Sequence, residues 1–101
     1  MFLSSHRRSY ERFEVDASAT LILNKNLEIP SILTNLSAGG AGTVSNGSLQ
    51  VNEKVKIIIR APFFFENPVY KEARVAWCKR LDENLCQAGL DFGLDNGIEF
   101  K

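Results

Sequence analysis

A single histidine, His6, occurs in the chain, and that scarcity removes most nucleophilic catalysis. A Ser-His-Asp or Cys-His set needs an imidazole held beside its nucleophile, and His6 lies in an N-terminal stretch without regular patterning. The only cysteines, Cys78 and Cys86, lack the spacing and the further ligands of a zinc site, so no metal is expected. A bridge between them and two free thiols both stay open, and a reducing cytoplasm favours the thiols. No window approaches the roughly 18 to 20 consecutive apolar residues of a membrane span. No phosphate-binding or dinucleotide fingerprint is present. Twelve Lys and Arg cancel twelve Asp and Glu, so the overall field does not steer the molecule toward nucleic acid. Met1-Phe2-Leu3 runs at once into Ser4-Ser5-His6-Arg7-Arg8, unlike a secretory leader, which sets the expectation of a soluble cytoplasmic protein.

What is present fits one globular domain. The 101 residues are 45% hydrophobic and 24% charged, enough for one modest core and too few for two. Period-2 alternation dominates. Val15, Ala17, Ala19, Leu21 and Leu23 are apolar at odd positions, with Asp16, Ser18 and Thr20 between them, which reads as a half-buried strand. Asn24-Lys25-Asn26 signals a turn. Residues 27–36 form a second run, whose Pro30 suits an edge or a bulge. Ala38-Gly39-Gly40-Ala41-Gly42 is a break where backbone can take positive φ and approach a ligand, and a short strand over 41–45 then meets the turn dipeptide Asn46-Gly47. Val51, Val55, Ile57 and Ile59 share one parity. Val69, Ala73, Val75 and Trp77 face one way on a further strand, which makes Trp77 a core residue. Asp82-Glu83-Asn84 turns the chain into the alternating Cys86, Ala88, Leu90 and Phe92. Phe63-Phe64-Phe65 reads as core packing, with a docking patch as the alternative, because three consecutive aromatics on a strand cannot all face inward. Such strands without crossover helices predict an antiparallel barrel or sandwich, residues 13–101, preceded by an arm over residues 1–12 that reads as mobile.

Two polar clusters interrupt this pattern. Arg7, Arg8 and Arg12 fall within six residues, opposed only by Glu11. Guanidinium forks grip phosphates bidentately and match the O6 and N7 edge of guanine. Asn35-Leu36-Ser37-Ala38-Gly39-Gly40 supplies an amide, a hydroxyl and glycine backbone. Together they suit a small anionic ligand with purine rings better than a long polyanion, which calls for a basic stripe.

An Arg-Arg-x-x-x-Arg arm followed by Asn-x-Ser-x-x-Gly resembles the PilZ family, through Arg7, Arg8 and Arg12, then Asn35, Ser37 and Gly40. Val75-Ala76-Trp77 and Gly89-Leu90-Asp91-Phe92 resemble that family's late strands, so the resemblance runs from Arg7 to Phe92. It implies a six-stranded antiparallel β-barrel of split-barrel type that binds cyclic di-GMP and is not an enzyme. The usual C-terminal helix is expected to be short or absent, since Gly93 and Asn96-Gly97 are poor helix material. By position, Arg8 and Arg12 would grip phosphate and guanine, and Arg7 would stack on or bind guanine. Asn35 and Ser37 would read one guanine edge, and Gly40 would let the chain pass close. An arginine at position 7 resembles members that take a stacked pair of ligand molecules. Asn35 stands where many members have Asp, and one amide oxygen accepts less than a carboxylate. The resemblance thus implies a bacterial, cytoplasmic receptor, monomeric or weakly dimeric, that needs no cofactor and signals through an unidentified downstream protein. The alternatives are a PilZ-like interaction module that binds no nucleotide, and a small single-stranded nucleic-acid-binding barrel, which the neutral charge disfavours.

Overall fold

A computed structural model of the chain describes residues 12–24, 26–93, 97 and 98. Six strands make up the described chain: β1 (Arg12–Leu23), β2 (Leu27–Ser37), β3 (Gly40–Asn46), β4 (Lys54–Arg60), β5 (Val69–Arg80) and β6 (Leu85–Asp91). They close in the order β1-β2-β3-β6-β5-β4, every neighbouring pair antiparallel, and β4 returns to β1 through Ser18↔Arg60 to Ile22↔Lys56. The expected six-stranded antiparallel barrel is therefore the fold, and no helix occurs among the described residues.

The alternation read from the sequence builds its interior. Ala19, Leu21 and Leu23 on β1 meet Leu33 and Leu36 on β2, Ala41 and Thr43 on β3, and Val55, Ile57 and Ile59 on β4. Ala73 and Val75 on β5 and Cys86, Ala88 and Leu90 on β6 complete the wall. Burying one such aliphatic side chain stabilises the fold by about 1.5–3 kcal/mol. Closure removes sheet edges, yet Pro30 is accommodated. It pairs with Thr20 of β1, while β2–β3 pairing begins only at Ser31, so its missing N–H interrupts no described β3 bond.

Several local expectations change. Val51 is exposed in a turn, because β4 begins at Lys54. Asn46-Gly47 does not close a hairpin. Gly47 has φ 143° and leads into a loop to β4, which is not a neighbour of β3. The aromatic triplet splits: Phe63 is fully exposed, whereas Phe64 and Phe65 pack partly against the core, Phe64 lying 5.4 Å from Phe13. Asp82 does make the β5–β6 turn, its carboxylate accepting from the Asn84 and Leu85 amides at 2.8 and 2.9 Å.

Candidate functional site

Two β-bulges decide which side chains reach the outer face. In β2, Leu33 pairs with Thr43 and Asn35 with Gly42, leaving Thr34 without a β3 partner. Alternation resumes one residue late, so Leu36 points inward with Leu33, and Asn35 and Ser37 point outward. In β5, Val75 pairs with Leu90 and Trp77 with Gly89, leaving Ala76 over. Val75 stays buried and Trp77 emerges 47% exposed. The reading of Trp77 as core is thereby corrected: its parity with Val75 is broken by one unpaired residue. Without these bulges, strict alternation would aim all three side chains into the barrel.

The re-aimed residues fall into two transverse rows. Glu14, Asn35, Gly42, Gly89 and Trp77 are successive cross-strand partners from β1 to β5. Beside them run Arg12, Ser37, Gly40, Asp91 and Arg74. The middle of both rows is nearly bare of side chains, with Gly40, Gly42 and Gly89 under the flanking groups. At Gly89, a Cβ would collide with the Trp77 indole nitrogen, and at Gly42 with the Asn35 amide nitrogen. Each glycine is thus floor for one flat side chain, an indole on one side and a carboxamide on the other. Neither Gly39, Gly40 nor Gly42 has positive φ, so Gly40 and Gly42 serve proximity and not backbone handedness. Gly40 has a packing reason of its own, since a Cβ there would strike the Leu90 carbonyl oxygen.

Ser37 donates its hydroxyl to the Gly40 carbonyl at 3.4 Å, bridging the β2–β3 turn. That turn is also held from outside, where the Phe92 amide donates to Gly39 O at 2.9 Å and the Ile98 amide to Ala38 O at 2.8 Å. Asp91 accepts from the Gly93 amide at 2.9 Å. Depressions occur at the β5–β6 turn beside Cys78 and Cys86 and outside β4 and β5.

Of the six residues singled out from the sequence, Arg12, Asn35, Ser37 and Gly40 come together. Arg12 is the first residue of β1 and the direct partner of Ser37, and Asn35 lies two residues back along the same outer face. Arg7 and Arg8 lie outside the described residues. Sequence reasoning placed Gly42 in a glycine break open to a ligand, but missed Trp77 and Gly89 as parts of this face. The signal was there only in part, since an isolated glycine within a strand run marks a close approach but does not say of what.

The cysteines are free thiols. They face inward on β5 and β6, and Cys78 donates to Leu49 O at 3.2 Å. Burial pushes the Cys78 thiol above its ordinary value of 9.0, with Cys86 within hydrogen-bonding reach and the Glu53 carboxylate adding to the effect. A raised thiol is a poor nucleophile at neutral pH. Among the described residues, no group of three or more His, Cys, Asp or Glu could hold a metal, and no helix is long and apolar enough to cross a membrane.

No curated protein matches the chain. Among solved structures, the inhibitor of motility MotI/DgrA of Bacillus subtilis matches with TM-score 0.67 and 25% identity over 95% of this chain, which spans 44% of that one. The PilZ domain of YcgR from Escherichia coli, solved with c-di-GMP, matches with TM-score 0.68 and 17% identity over 86% of this chain and 78% of that one. The family model for the PilZ domain matches residues 6–100. With that match spanning nearly the whole chain, and the Asn-x-Ser-x-x-Gly segment set beside Arg12 on a closed six-stranded barrel, the chain belongs to the PilZ domain family.

Proposed function

We propose that this chain is a receptor for cyclic di-GMP and carries out no chemistry on it. The observation that carries this reading is the convergence of Arg12, Ser37 and Asn35 on one outer face floored by glycine. Arg12 stands where a guanidinium can fork onto a phosphate or the guanine O6 and N7 edge. Asn35 offers its amide to the Watson–Crick edge of one guanine, and Ser37 adds a hydroxyl beside it. The Trp77 indole, lying over Gly89 and 47% exposed, adds an aromatic surface on which a purine ring can stack. Arg8 completes the phosphate grip from the arm, and Arg7 stacks on guanine and favours a stacked pair of ligands. Closure of the arm over the barrel changes the surface that a downstream protein reads. Cytoplasmic location follows from the ligand, an intracellular second messenger of bacteria.

A second reading, an interaction module that binds no nucleotide, draws on two observations. Asn35 lacks the second acceptor oxygen of aspartate, and Phe63 is fully exposed. Isothermal titration with cyclic di-GMP, with GTP and cyclic di-AMP as controls, separates the two. Saturable binding selective for cyclic di-GMP, lost in Arg8→Ala and Arg12→Ala while the fold survives, supports the receptor. Silence from a folded sample supports the module.

A further inference from the structure

The outer surface where β1, β4 and β5 run side by side is neither core nor part of the nucleotide face. Ile22, Lys56 and Glu72 form one cross-strand row, and Thr20, Ile58 and Tyr70 the next. Ile22 and Ile58 are half-buried and line a depression. Lys54, Lys56, Arg74 and Tyr70 stand around them, with Tyr70 69% exposed. On the outer side of this depression three basic residues, Lys54, Lys56 and Arg74, stand against two acidic ones, Glu72 and Asp91, while Lys71 pairs with the inward-facing Ile57 and donates to Gly97 O at 2.9 Å. The excess is local, since the whole chain has net charge zero.

We infer that this face docks an acidic protein segment carrying an apolar anchor side chain. Charge complementarity selects the sign of the partner. Lys54 and Lys56 project from one face of β4, about 6.8 Å apart at two residues of antiparallel strand. That spacing matches carboxylates at alternate positions of an extended segment, or one turn apart on a helix. The recessed isoleucines decide the class of partner. A bilayer presents no protruding group that reaches between the long basic side chains to Ile22 and Ile58, whereas one leucine or phenylalanine of a partner does. A second copy of this chain would bring like charges together. Tyrosine and arginine at the rim of an apolar recess are the residue types that carry most binding energy at protein interfaces. The inference does not depend on nucleotide binding, although Arg74 and Asp91 also end one row of the nucleotide face, so the two faces share an edge.

The test is selection of a random peptide library displayed on phage against the purified protein, counter-selected on the double variant Lys54→Glu, Lys56→Glu, whose two positions lie outside both rows of the nucleotide face. Enriched peptides rich in Asp and Glu around one large apolar residue are expected. Their synthetic forms should lose at least about tenfold in affinity on the double variant, lose affinity on Tyr70→Ala, and weaken with salt. Circular dichroism and cyclic di-GMP titration of the same variants separate loss of docking from loss of fold or of ligand. No enrichment, neutral consensus peptides, or affinities indifferent to the variants would overturn the inference. So would preferential binding to phosphatidylcholine–phosphatidylserine vesicles or to single-stranded DNA, or self-association in sedimentation that the double variant abolishes.

Discussion

At the scale of single residues, the glycines of the face separate packing from recognition. Gly40 and Gly42 are near neighbours on β3 and both outward, yet a Cβ would meet different things. At Gly40 it meets the Leu90 carbonyl, part of a barrel wall that cannot move without breaking β3–β6 pairing. At Gly42 it meets the end of the Asn35 side chain, which can rotate away. Gly40→Ala is therefore expected to cost about 1–3 kcal/mol, with a Tm loss of about 4–8 °C per kcal/mol for a domain of this size. Gly42→Ala should leave Tm nearly unchanged and weaken cyclic di-GMP binding, because Asn35 loses its position. Thermal melts and titration of the two variants check this, and equal Tm losses would mean that Asn35 is as fixed as backbone. Cys78 gives a second residue-scale prediction. Its folded pKa is raised, so the folded state holds that proton more tightly than the unfolded chain does. The resulting stability is fully present below the ordinary value of 9.0 and is lost as pH rises through the higher folded value. The Cys78 contribution to Tm should thus be constant below pH 9.0 and fall away above it, so the Tm of Cys78→Ala should drop less than that of the native chain between neutral pH and pH above 9.0.

At the scale of the strand, two unpaired residues account for most of what the face displays. Trp77 is the only tryptophan, so fluorescence reports its side of the barrel directly. Native emission should be that of a half-exposed indole, quenched by acrylamide and altered by cyclic di-GMP. Deleting Ala76 should preserve this behaviour, because Val75 and Trp77 then become adjacent and alternate in and out as their partners Leu90 and Gly89 already do. A blue-shifted, unquenched indole in that variant would show the ladder slipping to place Trp77 inside. The same bulge marks where sequence reasoning reached its limit. Period 2 located the interior of β1, β4 and β6, since each keeps one phase from end to end, while β2 and β3 were placed by the turn and glycine signals around them. It failed at Trp77, because the bulge depends on the pairing with β6 and Ala76 carries no local sign of it. It also could not tell that Asn35 and Ser37 face outward, for the same reason at Thr34. The motif residues were legible by type and spacing, whereas Gly89 and Trp77 join their face only through cross-strand pairing.

At the scale of the molecule, the six strands close on one another, so the face that carries Arg12, Asn35 and Ser37 rests on a complete framework of paired strands. The part played by the arm is then a separate quantity, and linkage measures it. A ligand that binds only the folded state stabilises it by about 2.7 kcal/mol when present at a hundred times its Kd. For a domain of this size that corresponds to a Tm rise of about 10–20 °C. Cyclic di-GMP is expected to produce such a rise in the native chain and almost none in Arg8→Ala or Arg12→Ala, whose ligand-free Tm should stay close to the native value. The ligand-free comparison matters because Arg12 is exposed at the start of β1, where trimming its side chain uncovers no core. Arg7→Ala separates affinity from stoichiometry. If Arg7 holds a second ligand stacked on the first, native protein should titrate two molecules per chain and the variant one, with a smaller Tm rise at high ligand concentration. One molecule per chain in both would remove the stacked pair while leaving the receptor reading intact, since Arg12, Ser37 and Asn35 would still face the first ligand across the glycine floor.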